Sequence, residues 1–172
     1  MDLNTDIDAV LMDIEGTTTS ISFVYDELFP YARSKAASFF EEHWGGAELS
    51  VPIHALREQA IADRADGMVG VVSIPDADAT PEAIRQALCE SVYWQMDNDR
   101  KTTGLKALQG QIWVDGYQSG ALKGHLFPDV LPALKKFKAM GKELYIYSSG
   151  SVAAQKLLFG HSMEGDLTPM LS

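Results

Sequence analysis

The sequence predicts an α/β protein: a parallel, Rossmann-like sheet core interrupted by an inserted α-helical cap. Two apolar runs, residues 8–14 and 144–147, have the length of buried strands and stand far apart in the chain. The long stretch between them carries helical periodicity instead. Each run gives way to small polar residues, and the second is framed helix–strand–turn–helix, the order of a parallel α/β unit.

The first run, Asp8 to Ile14, reads as a strand buried on both faces that closes on acidic residues. Gly16, Thr17, Thr18 and Thr19 then break the pattern. From about Asp26 to Trp44, the positions Leu28, Ala32, Ala36, Phe39 and Phe40 have the spacing of an amphipathic helix, which Gly45 and Gly46 stop. Leu49, Ile53, Leu56, Ala60 and Ile61 predict a second helix over about 49–66, and residues 67–80 read as a loop. Thr80-Pro81-Glu82 is a helix start, with an N-cap hydroxyl, proline in the first turn and an acid facing the dipole. Ile84, Leu88, Ser91, Val92 and Gln95 carry that helix to about Met96. A fourth helix is expected near 101–121, weakened by Gly104, Gly110 and Gly116. Phe127-Pro128-Asp129 opens a helix bearing Leu131, Leu134, Phe137 and Met140, with Gly141 as its cap. Leu144 to Tyr147 is a strand, and Val152 to Phe159 begins another helix. The division that follows is a core of 1–25 plus 125–172 and a helical cap over 26–124.

A length of 172 residues allows one ordinary domain or a small core with an insertion. At 46% hydrophobic and 22% charged, the chain is neither a disordered tail nor a fibre. Lys and Arg number 14 against 24 Asp and Glu, a net charge of −10, which disfavours nucleic acid and anionic membrane as partners. The first hundred residues hold a net −13 and the remainder +3, so an anionic ligand needs a local positive or metal-bearing pocket. The single cysteine, Cys89, excludes an internal disulfide and a cysteine-based zinc site, and its apolar helical setting suggests a buried, inert thiol. No run is long enough to cross a bilayer, and Asp2, Asp6 and Asp8 stand where a signal peptide needs basic residues. A cytoplasmic monomer is expected.

The sharpest chemical feature is Asp13-Ile14-Glu15-Gly16-Thr17, two carboxylates one residue apart where a strand becomes a turn. The carboxyl ends of parallel strands are where α/β enzymes bind ligands. If Asp13 is still extended, it and Glu15 point the same way. Their mutual repulsion favours a hard cation such as Mg²⁺. Asp13 suits nucleophilic attack on phosphorus and Glu15 suits proton transfer. The same pair equally suits a plain turn and helix entry. Ser148-Ser149-Gly150-Ser151 after the later strand suits binding of phosphate oxygens, although one serine there could simply cap the helix. His43, His54, His125 and His161 lack ligand spacing and read as surface or packing residues. Trp44, Trp94 and Trp113 read as packing residues, and Arg100, Lys101 and Lys106 as a solvated helix face or a phosphate contact.

Taken together, the two motifs resemble the haloacid-dehalogenase-like phosphohydrolases, and more closely the enolase-phosphatases of methionine salvage. The resemblance is carried by Asp13-Ile-Glu-Gly-Thr-Thr-Thr19, Phe29-Pro30-Tyr31, Trp94-Gln95-Met96, Arg100-Lys101-Thr102-Thr103, Leu108-Gln109-Gly110, Tyr145 to Val152, Gln155 to Ser162 and Glu164-Gly165-Asp166. It implies a Mg²⁺-dependent enzyme of amino-acid biosynthesis. Its substrate would be a small phosphorylated molecule, 2,3-diketo-5-methylthiopentyl-1-phosphate, which is enolised and then dephosphorylated to an acireductone. Asp13 and Glu15 would be the catalytic and metal-binding acids, and Ser148 and Ser149 the substrate-binding hydroxyls. The family also has a phosphate-binding lysine and a metal-binding aspartate beyond the position of Ser172, and Lys156 does not match that lysine. A truncated or proteolysed piece of a longer parent, with an incomplete core and little activity, is therefore expected. The alternatives are another small-molecule phosphatase of the same fold, or a noncatalytic module that binds phosphorylated ligands or a partner.

Overall fold

A computed structural model describes residues 7–172, so Asp2 and Asp6 of the N-terminal charge argument lie outside the described residues. The chain forms two compact units, residues 1–28 with 113–172, and residues 29–112.

The first unit holds the sheet. Strands β1 (Ala9–Met12) and β2 (Glu143–Ile146) pair in parallel, with Ala9 opposite Glu143 and Met12 opposite Ile146. The first strand is shorter than the apolar run that predicts it, and it is not buried on both faces. Leu11 is 66% exposed, and the register sets it against Tyr145, which is also exposed. Among the described residues the sheet has two strands and one face is covered. That face packs Leu144 with Ile14, Phe23, Leu134, Leu158 and Phe159 into one buried cluster. Ser172 lies along the outer edge of β2, its N–H donating to the Leu144 carbonyl at 2.8 Å.

A π-helical turn, Phe23–Leu28, precedes the helix that begins at Phe29, so the single helix expected from Asp26 starts earlier and changes pitch. Helix α5 (Val130–Ala139) closes as expected at Gly141, whose φ of +73° suits glycine. There Gly141 N–H donates to Lys138 O and Lys142 N–H to Phe137 O. Helix α6 (Val152–Gly160) follows β2, and a short 3₁₀ turn, Thr168–Met170, follows α6.

The second unit is helical. It contains α1 (Phe29–Glu42), α2 (Ala47–Ala65), α3 (Pro81–Asp97) and most of α4 (Thr103–Gln118). The start of α3 is as expected: Thr80 accepts from Ala83 N–H at 3.3 Å and Pro81 takes the first helical position. Helix α4 forms despite its glycines. A side chain at Gly104 would come within 2.7 Å of the Leu56 backbone nitrogen, so that glycine permits α2 to approach closely. Asp63, 3% exposed, is paired with Arg100 at 2.7 Å and also accepts from Gln59 Nε2.

Candidate active site

Asp13 follows the last residue of β1, and Ile14 beside it is buried while Asp13 and Glu15 are exposed. The Ile14 N–H donates to Asp13 Oδ1 at 2.7 Å, which fixes one carboxylate oxygen; the other makes no hydrogen bond to the described residues. A tight turn then folds the chain back on itself. The Ile14 carbonyl accepts from the N–H groups of Thr17, Thr18 and Thr19 at 3.0–3.2 Å. Gly16, at φ +74°, donates its N–H to the Thr19 carbonyl at 2.8 Å. The Thr18 hydroxyl donates to the Asp13 carbonyl at 3.1 Å. The backbone that carries both acids is thus heavily bonded while their carboxylates face water.

Parallel pairing brings the second motif alongside. The Tyr147 N–H donates to the Met12 carbonyl at 2.9 Å, the last bond of the ladder that pairs Met12 with Ile146. Asp13 and Tyr147 are the first residues past the paired ends of the two strands, and Ser148 is the next residue. The Ser148 Oγ accepts from Gly150 N–H at 3.2 Å and Ser149 is exposed. The helix-capping role falls to Ser151, whose Oγ accepts from Ala154 N–H at 3.1 Å. Asp13, Glu15, Ser148 and Ser149 all belong to the sheet-bearing unit.

His125, read from sequence as a surface or packing residue, does pack against Phe23 and Phe127, but it also makes a polar contact that its sequence setting does not announce. Its Nδ1 lies 2.9 Å from the Thr19 hydroxyl and 3.5 Å from the Ser20 nitrogen. Thr19 is 106 positions away in sequence, so no local spacing could announce the contact. Arg100 proves to be neither a solvated face nor a free phosphate contact, because its guanidinium is committed to Asp63. Trp113 Nε1 donates to the Leu28 carbonyl at 3.0 Å. Ser162, in the later motif, closes a turn onto the Gly165 carbonyl, and Asp166 accepts from the Thr168 N–H and hydroxyl, which holds its carboxyl below the usual range.

The family model for haloacid dehalogenase-like hydrolases matches residues 7–167. The chain belongs to the haloacid dehalogenase-like hydrolase family. Among its relatives, a Xenopus tropicalis protein named enolase-phosphatase E1 is 48% identical over 96% of this chain and 64% of its own length. A protein of that name from Citrobacter koseri is 48% identical, matching 96% of this chain and 65% of itself, and one from Synechococcus elongatus is 46% identical, matching 100% and 68%. The crystal structure of the Saccharomyces cerevisiae UTR4 protein matches with a TM-score of 0.69 and 29% identity, over 96% of this chain and 65% of that one. The chain thus spans about two thirds of the length of these relatives.

The Mg²⁺ ion suggested by the resemblance is tested by the donors this haloacid dehalogenase-like hydrolase offers. Asp13 and Glu15 are hard oxygen donors, and one oxygen of Asp13 is without a hydrogen bond to the described residues. Among the described residues no group of three or more His, Cys, Asp or Glu side chains converges. Mg²⁺ commonly takes one or two carboxylates and completes its shell with water and phosphate oxygens. The donor set therefore fits in kind, with Asp13 and Glu15 as the side chains that would hold the ion.

Proposed function

We propose that this chain carries the reaction centre of an enolase-phosphatase acting on 2,3-diketo-5-methylthiopentyl-1-phosphate, with residues 29–112 as its inserted cap. The observation that supports this most is the parallel register, in which Met12 faces Ile146 and the acid-bearing turn adjoins the Ser148-Ser149 turn. The relatives' name, enolase-phosphatase E1, supports the two activities, and the diketone substrate comes from the sequence resemblance.

In this reading the Asp13 carboxylate forms a bond to phosphorus as the bond from phosphorus to the substrate's ester oxygen breaks. Glu15 gives its proton to the departing oxygen, then takes one from the water that attacks the aspartyl phosphate. Phosphate leaves, and both acids return to their starting states. Ser148 and Ser149 hold the phosphate oxygens beside the α6 N-terminus. Mg²⁺, held by Asp13 and Glu15, would offset repulsion between the Asp13 carboxylate and the phosphate and would supply Lewis acidity for the enolisation. Ligation and proton transfer compete for the Glu15 carboxylate, because a cation-bound carboxylate holds a proton poorly.

The test is Mg²⁺-dependent release of phosphate from p-nitrophenyl phosphate and from the diketone phosphate, with ultraviolet absorbance following the enediol. Asp13→Asn should abolish phosphate release from both. Glu15→Gln keeps an amide oxygen for the cation but transfers no proton, so it should bind Mg²⁺ and turn over little. Undiminished turnover in Asp13→Asn would remove the mechanism. Phosphate release without an enediol signal would leave a phosphatase of different substrate.

A further inference from the structure

We propose that His125 is a positioning residue that clamps the turn carrying Asp13 and Glu15, an inference that rests on the phosphatase reading of that turn. The Ser20 backbone N–H can only donate, so Nδ1 of His125 accepts, and the Thr19 hydroxyl at 2.9 Å donates to the same nitrogen. The ring is then the tautomer with its proton on Nε2. Two aromatic rings hold it in plane: Phe23 stacks at 5.9 Å, and Phe127 meets it edge-on at 5.7 Å. Two residues on, the Phe127 N–H donates to the Thr18 carbonyl at 3.0 Å. Three consecutive turn residues, Thr18, Thr19 and Ser20, are thereby tied to one short segment.

That segment is itself anchored. Gly124 N–H donates to the His161 carbonyl at 2.9 Å and Met163 N–H to the Gly124 carbonyl at 3.0 Å. From Thr18 and Thr19 the restraint passes inward, through the Thr18 hydroxyl to the Asp13 carbonyl and through the Thr19 carbonyl to the Gly16 N–H. The acids are exposed, and the hydrogen bond that the Asp13 carboxylate makes to the described residues comes from the backbone N–H of Ile14, so its placement depends on this backbone. Misplacing a reacting group by an ångström costs about 100-fold in rate.

Three variants test the clamp. His125→Phe keeps the ring packing and removes the acceptor; His125→Asn puts an amide oxygen near the place of Nδ1; Thr19→Val removes the donor. Hydrolysis of p-nitrophenyl phosphate with Mg²⁺ is read as kcat and KM separately, and amide hydrogen exchange is read at Gly16–Ser20. His125→Phe and Thr19→Val should each lower kcat about 10- to 100-fold with KM changed little. Exchange should accelerate in the turn and not in α5, and His125→Asn should restore most of both. Unchanged turn exchange in His125→Phe, or a loss that His125→Asn does not relieve, overturns the proposal, as does exchange rising equally throughout the unit. If the unsubstituted 172-residue chain hydrolyses nothing, the phosphatase reading fails for this chain, while exchange in the turn still decides the clamp.

Discussion

Replacing Gly124 by alanine should be far more damaging than its single methyl suggests. A Cβ placed there would lie 2.1 Å from the Leu158 carbonyl oxygen, 3.1 Å from its carbon and 3.2 Å from Ser162 Cα. Carbon–oxygen contacts settle near ~3.3–3.6 Å, so the overlap exceeds about 1 Å. All three neighbours are backbone atoms, and no rotamer change relieves them. The segment must therefore lift from the end of α6, losing the bonds between Gly124 and His161 and between Gly124 and Met163. Overpacking costs about 1–3 kcal/mol and each backbone bond about 1 kcal/mol. The lower entropy of unfolded alanine returns only about 0.4–1 kcal/mol, which leaves roughly 2–5 kcal/mol of destabilisation. Guanidinium denaturation followed by circular dichroism measures it. Gly110→Ala is the matched control: it lies inside α4, its added Cβ meets nothing within 4 Å, and it should stabilise by about 1 kcal/mol. A loss below about 1 kcal/mol in Gly124→Ala, with an unchanged denaturant slope, would refute the steric argument.

Two further outcomes follow from the helical unit. Arg100→Met strands Asp63, 3% exposed, with Gln59 as its remaining side-chain donor, and should cost about 3 kcal/mol in the same denaturation assay; a change under about 0.5 kcal/mol would show the pair to be dispensable. Burial first, then the charges of Glu41 and Glu90, push the Cys89 thiol up to about 11 from an ordinary value of 9.0. The folded chain thus keeps this proton where the unfolded chain loses it. The resulting stability is full below pH 9 and disappears as pH rises through about 11. Iodoacetamide at pH 9 should alkylate the native thiol much more slowly than the unfolded one, and equal rates would contradict the shift.

Much of the fold was legible because local chemistry and tertiary need agree. Thr80-Pro81 and Gly141 each act through their own backbone neighbourhood, so sequence places them closely. Where the deciding partner is distant, the reading failed. The apolar run at 8–14 looks like a strand covered on both faces, yet burial depends on how many layers pack against it, and Leu11 is left exposed. The π-helical turn before Phe29 has no local signature either, since the Leu28 carbonyl is met by Trp113 from 85 positions away. Arg100 looked available for the same reason: nothing near it in sequence announces Asp63.

The candidate site divides along the same line. Asp13 and Glu15 flank a buried Ile14, an alternation readable from residue type alone, and Ser151 rather than Ser148 takes the cap position in keeping with its place one residue before α6. The polar contact of His125 with Thr19 was illegible, because an isolated histidine reveals its partners only through what folding sets beside it. This asymmetry has a physical basis. Groups that meet substrate must be exposed and chemically distinctive, so composition marks them. Groups that hold them act through backbone hydrogen bonds, which any sequence can supply and only the fold can aim. The Ile14 carbonyl accepting three N–H groups, and the Thr18–Ser20 segment held by His125 and Phe127, are restraints of that second kind. They hold the turn beneath two water-exposed carboxylates.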